Sequence, residues 1–221
     1  VCMKKINIAI DGPSAAGKST IAKRLAKRLN YSHLDTGAMY RCVAYQAQRL
    51  GVDVADEAAL ATMIDAMQID FDSDHHVYIN GEDVSRAIRE NAISMLASSV
   101  SVFPAVRERL VHMQQTIAQN KGYIMDGRDI GTVVLPDAEV KVYMVASVEA
   151  RAKRRYEEYM EKGMDADYSV IYKDIEQRDH QDMHRPLSPL RKADDAVEID
   201  TSDMSIEEVE EAIAQLLPSK C

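Results

Sequence analysis

The chain has 221 residues, 46% of them hydrophobic, which is enough for one compact domain with an insertion and a large buried core. Lys and Arg number 27 against 36 Asp and Glu, and the resulting formal net charge of -9 argues against a chain that wraps nucleic acid; an anionic ligand would have to be held by local clusters of Arg, Lys and backbone amides. The three cysteines, Cys2, Cys42 and Cys221, form no CxxC pair, so neither a disulfide framework nor a zinc knuckle is indicated, and a reducing cytosol is the simplest setting.

Residues 5–11 alternate as a strand around Ile6, Ile8 and Ile10. The stretch Gly12-Pro13-Ser14-Ala15-Ala16-Gly17-Lys18-Ser19-Thr20 follows directly and reads GxxxxGKS. After it, Ile21, Leu25 and Leu29 recur every four residues as one face of a helix. Strand, glycine loop and helix in series are the context of a phosphate-binding loop, whose amides form a nest at a helix N-terminus. There Gly12 and Gly17 allow close approach of backbone to phosphate, Lys18 reaches the outer phosphates and the Ser19 hydroxyl ligates Mg2+. Residues 31–35 make a short strand ending in Asp35-Thr36-Gly37, and Met39, Val43, Ala47 and Leu50 mark a second helix with Arg41 near its start. Between residues 52 and 100 short helical pieces surround two strand candidates, 69–71 and 77–79, with Asn80-Gly81 as a turn, which predicts an inserted subdomain with a small sheet.

Past Phe103-Pro104, the residues Val106, Leu110, Met113 and Ile117 predict a long helix with Pro in its first turn. A strand over 122–125 runs into Asp126-Gly127-Arg128-Asp129, and another over 140–145 leads into a charged helix at 147–162. A segment rich in Arg and Asp continues to Arg185 before Pro186 and Pro189 stop any helix. Residues 196–200 are a final strand, and Ser205 with Glu208 forms a capping box for a last helix. Strands alternating with helices predict an α/β fold, a parallel sheet of about five strands with helices on both faces and ligands at the C-terminal strand edge. No apolar run reaches membrane-spanning length and no signal-peptide core is present, so a soluble cytoplasmic protein is expected; Met3-Lys4-Lys5 reads as a natural start that leaves Val1-Cys2 extraneous.

A phosphate loop alone serves kinases, switches and motors alike. The nearest match to a guanine-reading NKxD, Asn120-Lys121-Gly122-Tyr123, lacks the Asp, which disfavours a switch. Arginines instead gather at the ends of elements: Arg41, Arg107, Arg128, then Arg151, Arg154 and Arg155, then Arg178 and Arg185. The spacing of Arg151, Arg154 and Arg155 puts them on one helix face, suited to neutralising a transferring phosphoryl group; the competing picture is a solvated face paired with Glu149, Glu157 and Glu158. Asp11 and Asp35 are candidates to hold Mg2+ through water or simply strand ends, and Asp129 can also pair locally with Arg128. His180 and His184 lie four apart, but catalytic zinc wants three protein ligands and no Cys is near.

The segments Asp35-Thr36-Gly37-Ala38-Met39-Tyr40-Arg41, Asp126 to Val134 (DGRDIGTVV), Arg151 to Arg155 and Arg178-Asp179 through Arg185, together with Gly12 to Thr20, resemble the bacterial cytidylate kinases over essentially the whole chain. The loop is shared by many ATPases; the DGRDIGTVV run after a strand is far more specific. The resemblance implies a P-loop nucleoside monophosphate kinase fold, a single domain over 1–221. Within it, residues 52–100 would be the inserted monophosphate-binding subdomain and 151–187 an arginine-rich lid and the substrate segment beside it. It further implies an enzyme that uses ATP and Mg2+ on CMP or dCMP; with the acidic charge and no membrane-length run, neither nucleic acid nor membrane is expected as a partner, and a monomer is expected. By matching motifs, Arg41, Arg128 and Arg185 resemble the clamp on the acceptor phosphate, Arg178 and Asp182 the ribose readers, and Ser98, Arg107 and Asp129 the base readers. Thr36 stands where some of the family carry Ser and keeps the hydroxyl. Lys18, Arg128, Arg151, Arg154 and Arg155 would carry the catalysis. A kinase for UMP or for a metabolite hydroxyl, with Asp35 as base, and a nucleotide-dependent switch are the alternatives.

Overall fold

The structure, a computed structural model, describes residues 5–218. The expected start at Met3 and the terminal cysteines Cys2 and Cys221 lie outside the described residues. In chain order the first elements are β1 (Ile8–Asp11), α1 (Lys18–Leu29), β2 (Ser32–Asp35), α2 (Thr36–Leu50), α3 (Glu57–Asp65), β3 (Ile69–Phe71), β4 (Val77–Ile79), β5 (Glu82–Asp83), α4 (Asn91–Val100) and α5 (Pro104–Ala118). They are followed by β6 (Tyr123–Gly127), β7 (Val140–Val145), α6 (Val148–Glu161), α7 (Tyr168–His184), β8 (Val197–Asp200) and α8 (Ile206–Ala214). Two compact units result, one formed by the chain up to Tyr31 and from Lys121 onward, the other by Ser32–Asn120. The expected insert at 52–100 falls inside the second unit.

In the first unit β1 pairs in parallel with β6 on one side and β7 on the other, and β8 pairs in parallel with β7. The four strands of the main sheet in this unit therefore run in the order β6-β1-β7-β8. Because β1 is central, Ile8, Ala9 and Ile10 are all fully buried. Its apolar residues pack with Ile21, Ala22 and Leu25 of α1, Ile124, Val142 and Met144 of the neighbouring strands, and Val209 and Ile213 of α8. Each Ile, Leu, Val or Met side chain among them contributes about 1.5–3 kcal/mol on burial, so this cluster holds the sheet that carries the loop after β1.

β7 differs from the simple alternation its sequence suggests. Lys141 is buried although charged, because its ammonium reaches the Pro136 carbonyl and the Asp195 carboxylate, the latter at 2.9 Å. The last helix starts as expected: the Ser205 hydroxyl accepts from the Glu208 amide at 3.2 Å, and the Glu208 carboxylate accepts from the Ser205 amide at 2.7 Å.

Two features were hidden in the sequence. The Arg- and Asp-rich segment is a regular 17-residue helix, α7. Its buried positions are Ile171, Ile175 and Asp179, a stripe of spacing four whose third member is a carboxylate, so no apolar period announces it. And β6 runs two residues further than the apolar run, which places Asp126 and Gly127 inside the strand instead of at the start of a loop. A π-type turn at Ile130–Val134 follows it.

The second unit contains an antiparallel sheet of order β3-β4-β5, turning at Asn80 and Gly81, where Gly81 has φ of 82°. Helices α2 and α4 pack together, as do α3 and α5. Asp35 caps α2 by accepting from the Ala38 amide at 3.1 Å, and Pro104 occupies the first turn of α5 as expected.

Candidate functional site

In the first unit the chain leaves β1 at Asp11 and turns through Gly12 so close to β7 that a Cβ there would lie 2.1 Å from the Met144 carbonyl oxygen. Only glycine fits. The loop then alternates its backbone handedness, with Ala15 at φ 58° and Gly17 at φ 89°, the latter as N-cap of α1. That alternation turns successive amides toward one concavity, the nest that binds anions, and α1 adds its positive dipole end.

Lys18 opens α1 and is buried; its ammonium donates to the Pro13 carbonyl at 2.7 Å across the loop. Burial first, and then the nearby Arg128 and Arg178, hold its pKa well below the ordinary lysine value, against the opposing pull of Asp126 and Asp11. Phosphates placed beside it favour the ammonium form. The Ser14 hydroxyl is buried and makes no hydrogen bond to any described residue.

Ser19, the residue that the loop motif points to as metal ligand, donates its hydroxyl to the Asp126 carboxylate at 2.7 Å. A hydroxyl beside a buried carboxylate is an oxygen donor set of the kind that Mg2+ takes, so Ser19 and Asp126 fit that ion. Neither of the sequence candidates for an aspartate near the metal is so placed. Asp11 accepts from the amides of Ile130 and Gly131 at 2.8 and 2.7 Å, with both oxygens engaged in capping the turn, and burial pushes its pKa up to about 6. Asp35 accepts from Ala38 and pairs with Arg41. Asp126 is the residue that the sequence passes over as a metal neighbour. The signal for it was its place at the end of a strand beside β1, in register with Ile10.

The arginines of this unit are held in distinct ways. Arg128 donates through Nε to Asp182 at 2.7 Å, so the expected phosphate clamp and the expected ribose reader form one ion pair. Burial works against both charges, but each partner stabilises the other, so Asp182 is held below and Arg128 above its ordinary value. Arg151 is buried against Asp179, Ala146 and Ser14. Arg154 donates to the carbonyl and hydroxyl of Thr201. Arg155, alone of the three on α6, donates no hydrogen bond to any described residue. Among the described residues Glu157 pairs with Lys153, Glu158 with Lys162, and Glu149 accepts from the Tyr172 hydroxyl, so these glutamates do not occupy the arginines. Arg178 is half-buried on α7, and Arg185, just past its end, donates through Nε to the Ser188 carbonyl at 2.7 Å. Asp129 is buried, and its carbonyl accepts from Val133 and Val134 at 2.9 and 3.1 Å.

In the second unit Arg41 pairs with Asp35 at 2.7 Å, half-buried, while Thr36 is buried at the first position of α2. Burial opposes the Asp35 charge, but Arg41 outweighs it and holds the carboxyl below the usual range. Arg107, buried on α5, places its guanidinium 5.4 Å from the centre of the Tyr40 ring and donates to the Ser101 carbonyl at 3.2 Å. This cation–π contact stiffens a side chain that would otherwise sample many rotamers. Ser98 is half-buried on α4, and its carbonyl accepts from the Ser101 hydroxyl at 2.8 Å. Tyr40 as partner of Arg107 was not anticipated, because only the fold brings a residue of α2 beside one of α5.

Three comparisons with known proteins bear on this arrangement. A family model described as cytidylate kinase matches residues 8–219. The chain is 49% identical over 221 residues to a cytidylate kinase of Bacillus licheniformis, covering 98% of each, and 48% identical to cytidylate kinases of Ligilactobacillus salivarius and Bacillus subtilis, covering 99% and 98% of each. Among solved structures it resembles an uncharacterized protein of Eubacterium ventriosum (TM-score 0.54, 13% identity, 98% and 100% covered) and a shikimate kinase of Bacteroides thetaiotaomicron (TM-score 0.50, 13% identity, 96% and 97% covered). At that identity the two structures speak for the α/β fold.

Proposed function

The chain belongs to the cytidylate kinase family, and from that premise we propose that it transfers the γ-phosphoryl group of Mg-ATP to CMP or dCMP, giving CDP or dCDP. The observation that carries this is the loop itself, a glycine-bounded nest with Lys18 across it and Ser19 bonded to Asp126 at its helical end.

The acceptor is a phosphate monoester whose oxygen is already anionic at neutral pH. It attacks the γ-phosphorus in line, the bond from that phosphorus to the β–γ bridging oxygen breaks, and ADP departs with the electron pair. No base and no covalent enzyme intermediate are needed. The loop amides and Lys18 orient the donor's phosphates and take up charge as it moves toward the leaving oxygen. Ser19 and Asp126 would hold Mg2+, which supplies charge neutralisation on the donor's phosphates when bound. Of the arginine set, Arg128 and Arg155 are assigned to the transferring group, Arg155 because it donates to no described residue, while Arg151 and Arg154 support the site through the bonds that hold them to Ser14 and Asp179 and to Thr201.

For the acceptor, Arg41, Arg128 and Arg185 are assigned to the phosphate, Arg178 and Asp182 to the ribose, and Thr36 to the same nucleotide. Ser98, Arg107 and Asp129 are assigned to the base. The chemistry is coherent: a carboxylate accepts from the cytosine amino group and a guanidinium donates to its N3 and O2. Uracil would set a carbonyl against Asp129, and an acceptor facing an acceptor costs about 1–3 kcal/mol, enough to favour CMP over UMP. A monomeric cytoplasmic enzyme of pyrimidine nucleotide metabolism completes this picture; the net charge of -9 accords with nucleotides rather than nucleic acid as ligands. No described helix is long and apolar enough to cross a membrane.

The test is a coupled assay with ATP and a panel of CMP, dCMP, UMP and AMP. CMP and dCMP should be turned over far better than UMP and AMP. Equal rates across the panel, or a preference for UMP, would defeat the base assignment.

A further inference from the structure

Arg151 has the sequence position of a phosphate clamp, yet its side chain is otherwise engaged. Its Nε donates to the Ala146 carbonyl at 2.9 Å, one terminal nitrogen donates to the Ser14 carbonyl at 3.2 Å and to Asp179 at 2.9 Å, and the other donates to the second Asp179 oxygen. Four bonds leave one of the five guanidinium N–H groups. A side chain so committed, 3% exposed, cannot present a two-pronged fork to a phosphate.

What it does hold is the loop. In a trans peptide the carbonyl and the following N–H point in opposite directions, so drawing the Ser14 carbonyl toward Arg151 directs the Ala15 amide the other way. That amide belongs to the residue at φ 58°, a left-handed conformation that alanine adopts only when its surroundings enforce it. Lys18 draws the preceding carbonyl, that of Pro13, in the same manner. Asp179 completes the device from α7, since a bidentate carboxylate fixes the plane of the guanidinium and compensates its buried charge. This also explains why the third member of the buried stripe of α7 is an aspartate.

We propose that Arg151 and Asp179 are a positioning pair that sets the phosphate loop for ATP, with Arg151 anchoring the Ser14 carbonyl and Asp179 orienting Arg151. The assignment rests on the loop being the ATP site, and it separates Arg151 from Arg155, whose guanidinium donates to no described residue.

The test uses the full chain and compares wild type with Asp179→Asn, Arg151→Lys and the double variant, reading ATP KM, CMP KM, kcat, melting temperature and calorimetric binding of a non-hydrolysable ATP analogue. Asp179→Asn keeps the shape but loses the charge, and Arg151→Lys keeps the charge but cannot span Ala146, Ser14 and Asp179 together. Each should weaken analogue binding and raise ATP KM about tenfold, the order of a lost charge-assisted hydrogen bond, with CMP KM within about twofold of wild type. The double variant should be no weaker than the worse single one, because the two residues act as one unit. Unchanged or tighter analogue binding in Asp179→Asn would overturn the proposal, since it would mean that a released Arg151 grips the phosphates itself. A parallel rise of ATP and CMP KM with a lowered melting temperature would overturn it too, as the mark of general loosening. Should Asp179→Asn fail to fold, normal ATP KM in Arg151→Lys is the refuting result. A wild-type protein that binds no analogue or makes no CDP would instead defeat the ATP-site assignment.

Discussion

Replacing Asp126 by Asn probes the metal-holding end of the phosphate loop with little change of shape. Asp126 is 3% exposed, and its carboxylate accepts the Ser19 hydroxyl at 2.7 Å. The amide oxygen of Asn can still accept that bond, so the fold should survive. Two things are lost. One is the negative charge that draws a divalent cation toward Ser19. The other is one of the two carboxylates, with Asp11, that favour the charged form of buried Lys18. A charge-assisted hydrogen bond is worth about 1.5–3 kcal/mol, equivalent to roughly 10- to 150-fold in an equilibrium constant. The Mg2+ concentration that half-activates Asp126→Asn should therefore rise by about one to two orders of magnitude, while CMP KM at saturating Mg2+ changes little. The assay is CDP formation followed against Mg2+ at fixed ATP and CMP, with a thermal melt as control. A half-activating concentration equal to that of wild type, in a variant that melts normally, would refute the pairing of Ser19 and Asp126 as the metal's protein ligands.

Asp129→Ala should erode the preference for CMP over UMP about tenfold in kcat/KM, and an unchanged ratio would remove Asp129 from the base site. Arg155→Ala should cut kcat with CMP KM nearly constant, whereas Arg154→Ala, which frees the carbonyl and hydroxyl of Thr201, should chiefly lower the melting temperature; the reverse pattern in paired kinetics and melts would exchange their roles. The folded pKa of Asp11, about 6, lies above its ordinary value of 3.8, so its contribution to stability is fully present below about pH 4 and is lost as pH rises through 6. A two-unit shift is worth about 3 kcal/mol, so the stability advantage of wild type over Asp11→Asn in urea titrations should widen from pH 7 to pH 4, and a gap independent of pH would contradict the burial-driven shift.

The phosphate loop and most of the sheet could be read in advance because their signals are local: a glycine spacing fixed by close approach to Met144, and apolar runs in strands buried on both faces. What could not be read depends on contacts between distant residues. Asp179 sits where a period of four would place an aliphatic residue, and its partner Arg151 lies 28 positions earlier. Asp126 belongs to a strand whose polar end is held by its register beside β1 and by the Ser19 hydroxyl, 107 positions away. Arg151, Arg154 and Arg155 share a face by spacing, but only the fold shows that two of the three are occupied by Asp179 and Thr201.

The most direct measurement is 31P NMR of the protein turning over ATP and CMP with Mg2+. Direct transfer predicts ADP and CDP growing in equal amounts with no inorganic phosphate. ADP and inorganic phosphate appearing together while CMP stays intact would contradict it.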